Sequence, residues 1–208
     1  MDSNSITWPN LYDFNADKWD AYRNYLVDYF KICKDNSVLE IAPYKGTHTD
    51  IIKLHSPKSI TLVELNDEGI DYLNSAHSDC EIIQDDIYFY LEKEHPFDVV
   101  VCCGLLYHLH SPIYLLELIV NRTDPKYIII ETIGINENDL IEVKPEVNNY
   151  PGSLQIVKKW KSAGYCIRTN IQLIINSMKN MGYKLNVMDV SNDKPDAGPP
   201  CFCIFEKL

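Results

Sequence analysis

The sequence lacks long hydrophobic runs and a recognisable export signal. No stretch of about 18 or more apolar residues occurs, so we expect no membrane-spanning segment. Residues 1–5 lack the basic start and apolar stretch of a signal peptide. The 208 residues are 46% hydrophobic, which fits a single core. We therefore expect one cytoplasmic domain spanning residues 1–208.

Basic residues are also scarce, because 19 Lys and Arg face 30 Asp and Glu, for a net charge of −11. Proteins that bind nucleic acid use Lys and Arg to displace counterions from phosphates. The basic residues concentrate only at Lys158, Lys159, Lys161 and Arg168. A nucleic acid such as tRNA is therefore the less favoured partner, although one local patch can suffice to bind it.

The seven cysteines are scattered and odd in number, which argues against a disulfide framework. We expect reduced, mostly buried thiols, with Cys102 and Cys103 pointing to opposite sides of a strand. His108 and His110 could join these two as metal ligands. No second ligand pair has the spacing of a zinc site, so no metal is predicted.

Short β-branched runs alternate with longer segments of helical periodicity, which predicts an α/β fold with a parallel sheet between helices. Strands are predicted over residues 37–42, 59–64, 80–84, 97–103, 127–132, 183–190 and 201–207. Helices are predicted over 16–33, 47–55, 67–76, 87–94 and 111–121, and from Thr169 or Asn170 to Gly182. No helix separates the last two strands, so they must pair antiparallel. The prediction is a seven-stranded, mostly parallel sheet with an antiparallel last strand.

Two segments have open interpretations. The first helix carries an aromatic face, which could form a lid over a ligand or, as we favour, pack against the sheet; the face comprises Trp19, Tyr22, Leu26, Tyr29 and Phe30. Residues 134–166 are polar and irregular. We interpret 134–168 as an insertion that shapes a substrate pocket, with Tyr150, Trp160 and Tyr165 as candidate wall residues.

Polar residues end four successive predicted strands. Glu40 is followed by a tight loop with Gly46, where the backbone can approach a ligand closely. Glu64 lies 24 positions later and is typical of a carboxylate that accepts from both hydroxyls of a ribose. Asp86 could accept from an adenine amino group, and Cys103 begins the fourth polar segment, which runs from the end of its strand into the following loop. We call each of these four strand ends, with the loop after it, a station. Because ligands bind beyond the carboxyl ends of parallel strands, the pattern indicates a nucleoside.

Phosphate-binding features are missing from the first loop. It has no Walker lysine and serine, and it lacks two of the three glycines of a dinucleotide fingerprint. An acidic rim would also repel a pyrophosphate. S-adenosylmethionine fits these constraints, because it has a ribose and an adenine, carries a sulfonium cation and has no phosphate.

On these motifs the chain resembles the class I S-adenosylmethionine-dependent methyltransferases over residues 16–208. The motif at 104–112 (GLLYHLHSP) is similar to that of a group with small-molecule methyltransferases and an enzyme modifying the wobble uridine of tRNA. The resemblance implies a Rossmann-like fold, a transferase activity and S-adenosylmethionine as cofactor. It implies that Glu40 and Gly46 contact the methionine moiety and Glu64 the ribose. Asp86 would bind the adenine amino group, with Leu65 and Ile87 beside the ring; Ala42 and Cys103 complete the implied cofactor site.

The first loop departs from the family, which has three glycines there, because Ala42 and Tyr44 replace the first two. Tyrosine tolerates a positive φ poorly, so we expect the loop to turn differently or Tyr44 to lie outward.

Structural alternatives exist for the site residues. Glu40 could cap a neighbouring helix; Asp85 could replace Asp86, or either could cap the next helix. His108 is the first candidate for a general base, with Tyr107 as a positioning group, although a histidine after the fourth strand is often simply packed. Arg168 could pair with an acceptor carboxylate or be a solvated charge.

Three functions stay open. The favoured one is methylation of a small molecule on O, N or C. The second is RNA methylation, and the third is a binding module that keeps the cofactor fold without turnover.

Overall fold

The computed structural model describes residues 24–133, 141–145, 165–190 and 200–208. Within them, seven strands form one sheet: β1 (Ser37–Ile41), β2 (Ser59–Glu64), β3 (Glu81–Gln84), β4 (Val99–Cys103), β5 (Tyr127–Ile133), β8 (Tyr183–Val190) and β9 (Pro200–Lys207). The remaining two strands, β6 (Ile141–Pro145) and β7 (Tyr165–Thr169), form a separate small sheet. The α-helices are α1 (Thr47–Lys53), α2 (Asp67–Ala76), α3 (Ile87–Tyr90), α4 (Pro112–Thr123) and α5 (Ile171–Asn180), and 3-10 helices cover Val27–Cys33 and Leu106–His108.

The main sheet has the order β3-β2-β1-β4-β5-β9-β8. Its first five strands are parallel, and β9 is antiparallel to both neighbours, β5 and β8. The predicted seven-stranded sheet with an antiparallel last strand is confirmed. Because the chain order reverses between β1 and β4, the carboxyl ends of these strands border the crevice in which open α/β sheets bind ligands.

The core lies on both faces of this sheet. Alternate residues of β4 divide between the faces, so Val100 and Cys102 join one buried cluster while Val101 and Cys103 join the other. The cysteine prediction is confirmed for the described side chains: six thiols are free, and all except Cys80 are buried.

The first predicted helix, 16–33, is confirmed only in part. Residues 16–23, with Trp19 and Tyr22, lie outside the described residues. From residue 27 the chain forms a 3-10 helix. Leu26 and Phe30 are fully buried in the cluster that contains Val101 and Cys103. The described part therefore packs against the sheet, which is the alternative that the sequence favoured.

Several other boundaries were wrong, and the helices predicted to end at 55, 121 and 182 end at Lys53, Thr123 and Asn180. The helix predicted over 87–94 ends at Tyr90, because the chain turns so that the His95 N–H donates to the Arg122 carbonyl at 2.8 Å, ahead of Pro96. The fourth strand starts at Val99 instead of residue 97. Asp98 accepts from the Ser37 N–H at 2.8 Å and the Ser37 hydroxyl at 2.6 Å, which fastens the start of β1.

The prediction that residues 134–166 are irregular was wrong for β6 and for the start of β7. These strands pair antiparallel, from Ile141 opposite Thr169 to Pro145 opposite Tyr165. The alternation of apolar and polar residues over 141–144 (IEVK) was a strand signal. Tyr150, Trp160 and the lysines at 158, 159 and 161 lie outside the described residues.

Among helices of the described segments, none combines the length and apolar composition that a membrane crossing requires.

Candidate functional site

Four side chains form a row across one face of the sheet, at the carboxyl ends of its central strands. We call them the polar row: Glu64 of β2, Glu40 of β1, Cys103 of β4 and Glu131 of β5. They share a face because side chains alternate along a strand, and the residues two positions earlier all belong to one buried cluster, namely Leu62, Val38, Val101 and Ile129. All four members of the row are less than a tenth exposed.

Glu40 is buried at 2% exposure, and its Oε2 accepts a hydrogen bond of 2.6 Å from the Thr49 hydroxyl. Burial raises the pKa of Glu40 to about 7, although the charge of His48 and the Thr49 hydrogen bond oppose the shift. Glu40 thus binds a side chain of α1 and does not cap that helix, whose N-cap is Gly46 with no side-chain bond. A cation nearby would favour the ionised carboxylate.

Glu64 is oriented by three backbone N–H groups. Its Oε1 accepts from Leu65 at 2.8 Å and Asn66 at 2.7 Å, and its Oε2 accepts from Tyr44 at 2.9 Å. The last bond ties the end of β2 to the loop after β1. A carboxylate offers about four lone-pair sites, so the geometry leaves capacity to accept from a ligand hydroxyl.

The loop between β1 and α1 has left-handed backbone at all three positions where the family has glycine. Ala42 has φ +54°, Tyr44 +49° and Gly46 +70°. The expectation that the loop turns differently because of Tyr44 is therefore wrong, and the half-buried tyrosine adopts the strained conformation. The bond from its N–H to Glu64 at 2.9 Å helps to offset that strain.

The third station, at the end of β3, is built around a helix cap. Asp86 is 7% exposed and its Oδ1 accepts from the Tyr88 N–H at 2.9 Å, which caps α3. Asp85 instead accepts from the Asp86 N–H at 2.8 Å. Ile87, next to Asp86 in sequence, is buried, and Leu65, next to Glu64, is half-buried. The structure thus shows the capping role of Asp86, while its adenine role stays a prediction.

The fourth station follows β4. Gly104, at φ +75°, turns the chain into the 3-10 helix of residues 106–108, and its N–H donates to the Glu131 carbonyl at 3.0 Å. Tyr107 and His108 are both half-buried, with ring centroids 4.3 Å apart. The Ile167 N–H of β7 donates to the Leu109 carbonyl at 2.8 Å, so the small sheet is attached to this station. Arg168 is half-buried on the same strand.

Two site residues were missed in the sequence. His48, in the first turn of α1, places its Nε2 at 3.1 Å from the Glu131 Oε2, and both side chains are largely buried. Burial alone would lower the pKa of His48, but the hydrogen bond and charge of Glu131 and the charge of Glu40 raise it overall. Glu131 near the end of β5 showed the same signal that identified Glu40 and Glu64, an acidic residue closing a buried strand.

The sheet order, the reversal between β1 and β4 and the antiparallel last strand define the Rossmann-like methyltransferase fold. The N-terminal domain of EvdMO1, solved with SAH bound, has a TM-score of 0.65 with 16% identity, covering 89% of this chain and 80% of that chain. The 1,6-didemethyltoxoflavin-N1-methyltransferase of Burkholderia thailandensis, with 1,6-didemethyltoxoflavin and S-adenosylhomocysteine bound, also has a TM-score of 0.65. Its sequence identity is 12%, and the match covers 96% of this chain and 81% of that chain.

A third similar structure is PH1948 of Pyrococcus horikoshii, provisionally described as an RNA methyltransferase. It gives a TM-score of 0.60 with 11% identity, covering 99% of this chain and 89% of that chain. No family model matches the sequence, and no curated protein is similar to it in sequence. At such identities the structures establish a shared fold.

Proposed function

We propose that this protein is an S-adenosylmethionine-dependent methyltransferase. The observation that carries the proposal is the arrangement of Glu40 and Glu64 on one sheet face, joined through the left-handed loop from Ala42 to Gly46. A carboxylate that can accept from ribose and a second one that can face a cation suit a nucleoside with a sulfonium group. Similar folds have been solved with S-adenosylhomocysteine (SAH) bound.

The proposed cofactor contacts follow the strand ends. Glu64 accepts from the ribose hydroxyls, held by its three N–H donors. The loop from Ala42 to Gly46 lies along the methionine moiety, with Glu40 beneath it and Cys103 at the adjacent strand end. Leu65 and Ile87 flank the adenine, and Asp86 accepts from its amino group.

The cofactor supplies an activated methyl group, so the protein has to align an acceptor and, for some acceptors, remove a proton. His108 is the proposed base, and the ring of Tyr107 beside it is the proposed positioning group. Both residues lie in the segment that follows β4, at the carboxyl ends of the central strands, where the polar row also lies. Residues 134–168 supply the acceptor pocket in this proposal, because β7 is bonded to the same station through Leu109.

The favoured acceptor is a small molecule in the cytoplasm. A net charge of −11 disfavours the phosphate backbone of RNA, and the reduced cysteines accord with a cytoplasmic location. RNA is the second candidate, because PH1948 shares the fold and is described provisionally as an RNA methyltransferase.

Calorimetry tests the cofactor site. Glu64→Ala should weaken S-adenosylmethionine binding at least about tenfold, because it removes a charged acceptor of ribose hydrogen bonds. Glu117→Ala on the exposed face of α4 is the matched control and should bind as the wild type does. Equal affinity of both variants would refute the ribose role of Glu64.

A labelling assay distinguishes the two acceptor classes. The wild-type protein is incubated with methyl-labelled cofactor and either a small-metabolite fraction or tRNA. Label is expected in the small-metabolite fraction. Label in tRNA alone would establish the RNA alternative, and label in neither fraction would favour a binding module.

A further inference from the structure

One cluster joins two members of the polar row to His48, and of its three residues only Cys103 takes part in the proposed cofactor contacts. His48, Cys103 and Glu131 bring an imidazole nitrogen, a thiol sulfur and a carboxylate oxygen within 4.8 Å of one another. Cys103 and Glu131 are 8% and 7% exposed, and the His48 side chain is 15% exposed. Three different elements, α1, β4 and β5, supply the three side chains.

The backbone fixes two of these residues relative to each other. Cys103 and Glu131 are direct partners in the parallel pairing of β4 with β5, and the next bond of the ladder runs from the Gly104 N–H to the Glu131 carbonyl at 3.0 Å. His48 is held from the other side by Phe30, whose ring stacks on the imidazole with centroids 5.9 Å apart. The cluster is therefore preorganised, as the supporting groups of metal sites are.

From this geometry we propose that His48, Cys103 and Glu131 form a binding site for one divalent transition metal ion of the zinc type. Nitrogen, thiolate and carboxylate ligands are those that Zn²⁺ uses in proteins. Tetrahedral bonds of about 2.0–2.3 Å place ligand atoms about 3.3–3.8 Å apart. The His48 Nε2 lies 3.1 Å from the Glu131 Oε2, and all three ligand atoms lie within 4.8 Å of one another, so small side-chain shifts would reach this spacing.

The charges of the site balance a dication. A neutral His48, an ionised Glu131 and a Cys103 thiolate together contribute two negative charges. In the metal-free protein the buried Cys103 side chain is a protonated thiol, the ordinary form of cysteine at neutral pH. Binding would form the metal–sulfur bond and release the thiol proton to solvent, and the proton through which the His48 Nε2 contacts Glu131 would also leave that nitrogen, so that their hydrogen bond is replaced by two bonds to the metal.

The site also suggests an acceptor class, a consequence that rests on the proposed methyltransferase function. Three protein ligands leave one tetrahedral position for a water or a substrate atom. A metal-bound thiol or hydroxyl loses its proton near neutral pH, which makes it a nucleophile. The proposed acceptor is therefore a thiol or alcohol small enough to reach Cys103 at the end of β4.

The sequence could not reveal this site by spacing. The ligands lie 55 and 28 positions apart along the chain, at 48, 103 and 131. Zinc motifs detected in sequences have two ligands within about five residues of each other. The histidines and cysteines considered from the sequence, at 102, 103, 108 and 110, share only Cys103 with the cluster.

Titration with Co²⁺, used as a spectroscopic substitute for Zn²⁺, tests the site. The wild type should bind one ion per chain and develop a thiolate-to-cobalt charge-transfer band in the near ultraviolet. Cys103→Ala should lose the band and bind at least about tenfold more weakly. Cys102→Ala is the matched control, because the adjacent thiol is also buried but belongs to the cluster on the opposite sheet face, and it should behave as the wild type.

Failure of the wild type to bind Co²⁺, or identical spectra of the two cysteine variants, would overturn the proposal. If Cys103→Ala does not fold, Glu131→Gln serves, because it keeps the side-chain shape and removes the charge; unchanged affinity in that variant would also refute the site. The titration contains no S-adenosylmethionine. Its outcome is thus independent of the Glu64 calorimetry, and either proposal can fail alone.

Discussion

Gly46 shows how one residue sets the shape of the proposed cofactor loop. A Cβ added there would lie 2.4 Å from the His77 Nε2 and 2.8 Å from its Cδ2, closer than atoms can approach. The residue also has φ +70°, which disfavours any side chain. His77 is 3% exposed, so its ring has little room to retreat.

Gly46→Ala should destabilise the protein by about 2–4 kcal/mol, from left-handed strain and from the collision with His77. Urea unfolding measures the change. Gly182→Ala is the matched control, since Gly182 has φ +88° but nothing within 4 Å of an added Cβ. Gly182→Ala should lower the free energy of unfolding by about 1–2 kcal/mol, which is the contribution of the left-handed strain alone. Equal losses in the two variants would mean that His77 moves aside freely.

At the residue scale, the sequence could identify site members only by their position at strand ends. Glu40 and Glu64 stand out because an acidic residue closes a buried apolar run. The same reasoning applies to Glu131, but its partner His48 could not be foreseen. That contact depends on how α1 packs over the ends of β4 and β5, which no local pattern encodes.

At the element scale, the 3-10 helix Val27–Cys33 covers the polar row's sheet face. Phe30 is fully buried and contacts both His48 and Phe202, with ring centroids 5.9 and 6.2 Å apart. Its burial explains why this short helix stays in place, and it fixes the imidazole orientation of His48.

Phe30→Ala should therefore lower the free energy of unfolding by about 3–5 kcal/mol, the usual cost of emptying an aromatic core position. Chemical denaturation followed by circular dichroism provides the measurement. Phe89 is 42% exposed, and Phe89→Ala should cost less than about 1 kcal/mol. A small effect at Phe30 would show that the 3-10 helix docks only weakly.

Elements that form through local periodicity could be predicted, whereas those that depend on distant partners could not. The strands of the main sheet are β-branched runs bounded by turn residues, so their existence and direction follow from the sequence. The small sheet pairs β6 with β7, which are separated by about twenty residues in the sequence. Helix α3 ends early because the chain after it turns towards α4, where the His95 N–H donates to the Arg122 carbonyl. Both outcomes are set by tertiary contacts.

At the scale of the whole molecule, the fold buries several carboxylates of an already acidic chain. The net charge is −11, and three carboxylates of the polar row are each less than a tenth exposed. Burying an ionised carboxylate is costly, so stability in the acidic to neutral range should depend on pH through the carboxyl group whose pKa burial raises. That group is Glu40, whose pKa is raised from 4.5 to about 7, with burial as the main cause.

Because the folded pKa of Glu40 exceeds the unfolded one, the native state binds this proton more tightly. The stabilisation is fully present below about pH 4.5 and disappears as the pH rises through about 7. From pH 5 to pH 8 the loss amounts to about 2–3 kcal/mol. Glu40→Gln keeps an acceptor for the Thr49 hydroxyl and cannot ionise, so it should lack this part of the pH dependence.

Urea unfolding of both proteins at pH 5 and pH 8, with a chelator present to keep them metal-free, measures the difference. The free energy of unfolding of the wild type, relative to that of Glu40→Gln, should fall by about 2–3 kcal/mol from pH 5 to pH 8. Glu117→Gln, an exposed carboxyl on α4, should follow the wild type at both. Parallel behaviour of Glu40→Gln and wild type would mean that Glu40 is ionised in the native state throughout, because water or a neighbouring cation stabilises its charge.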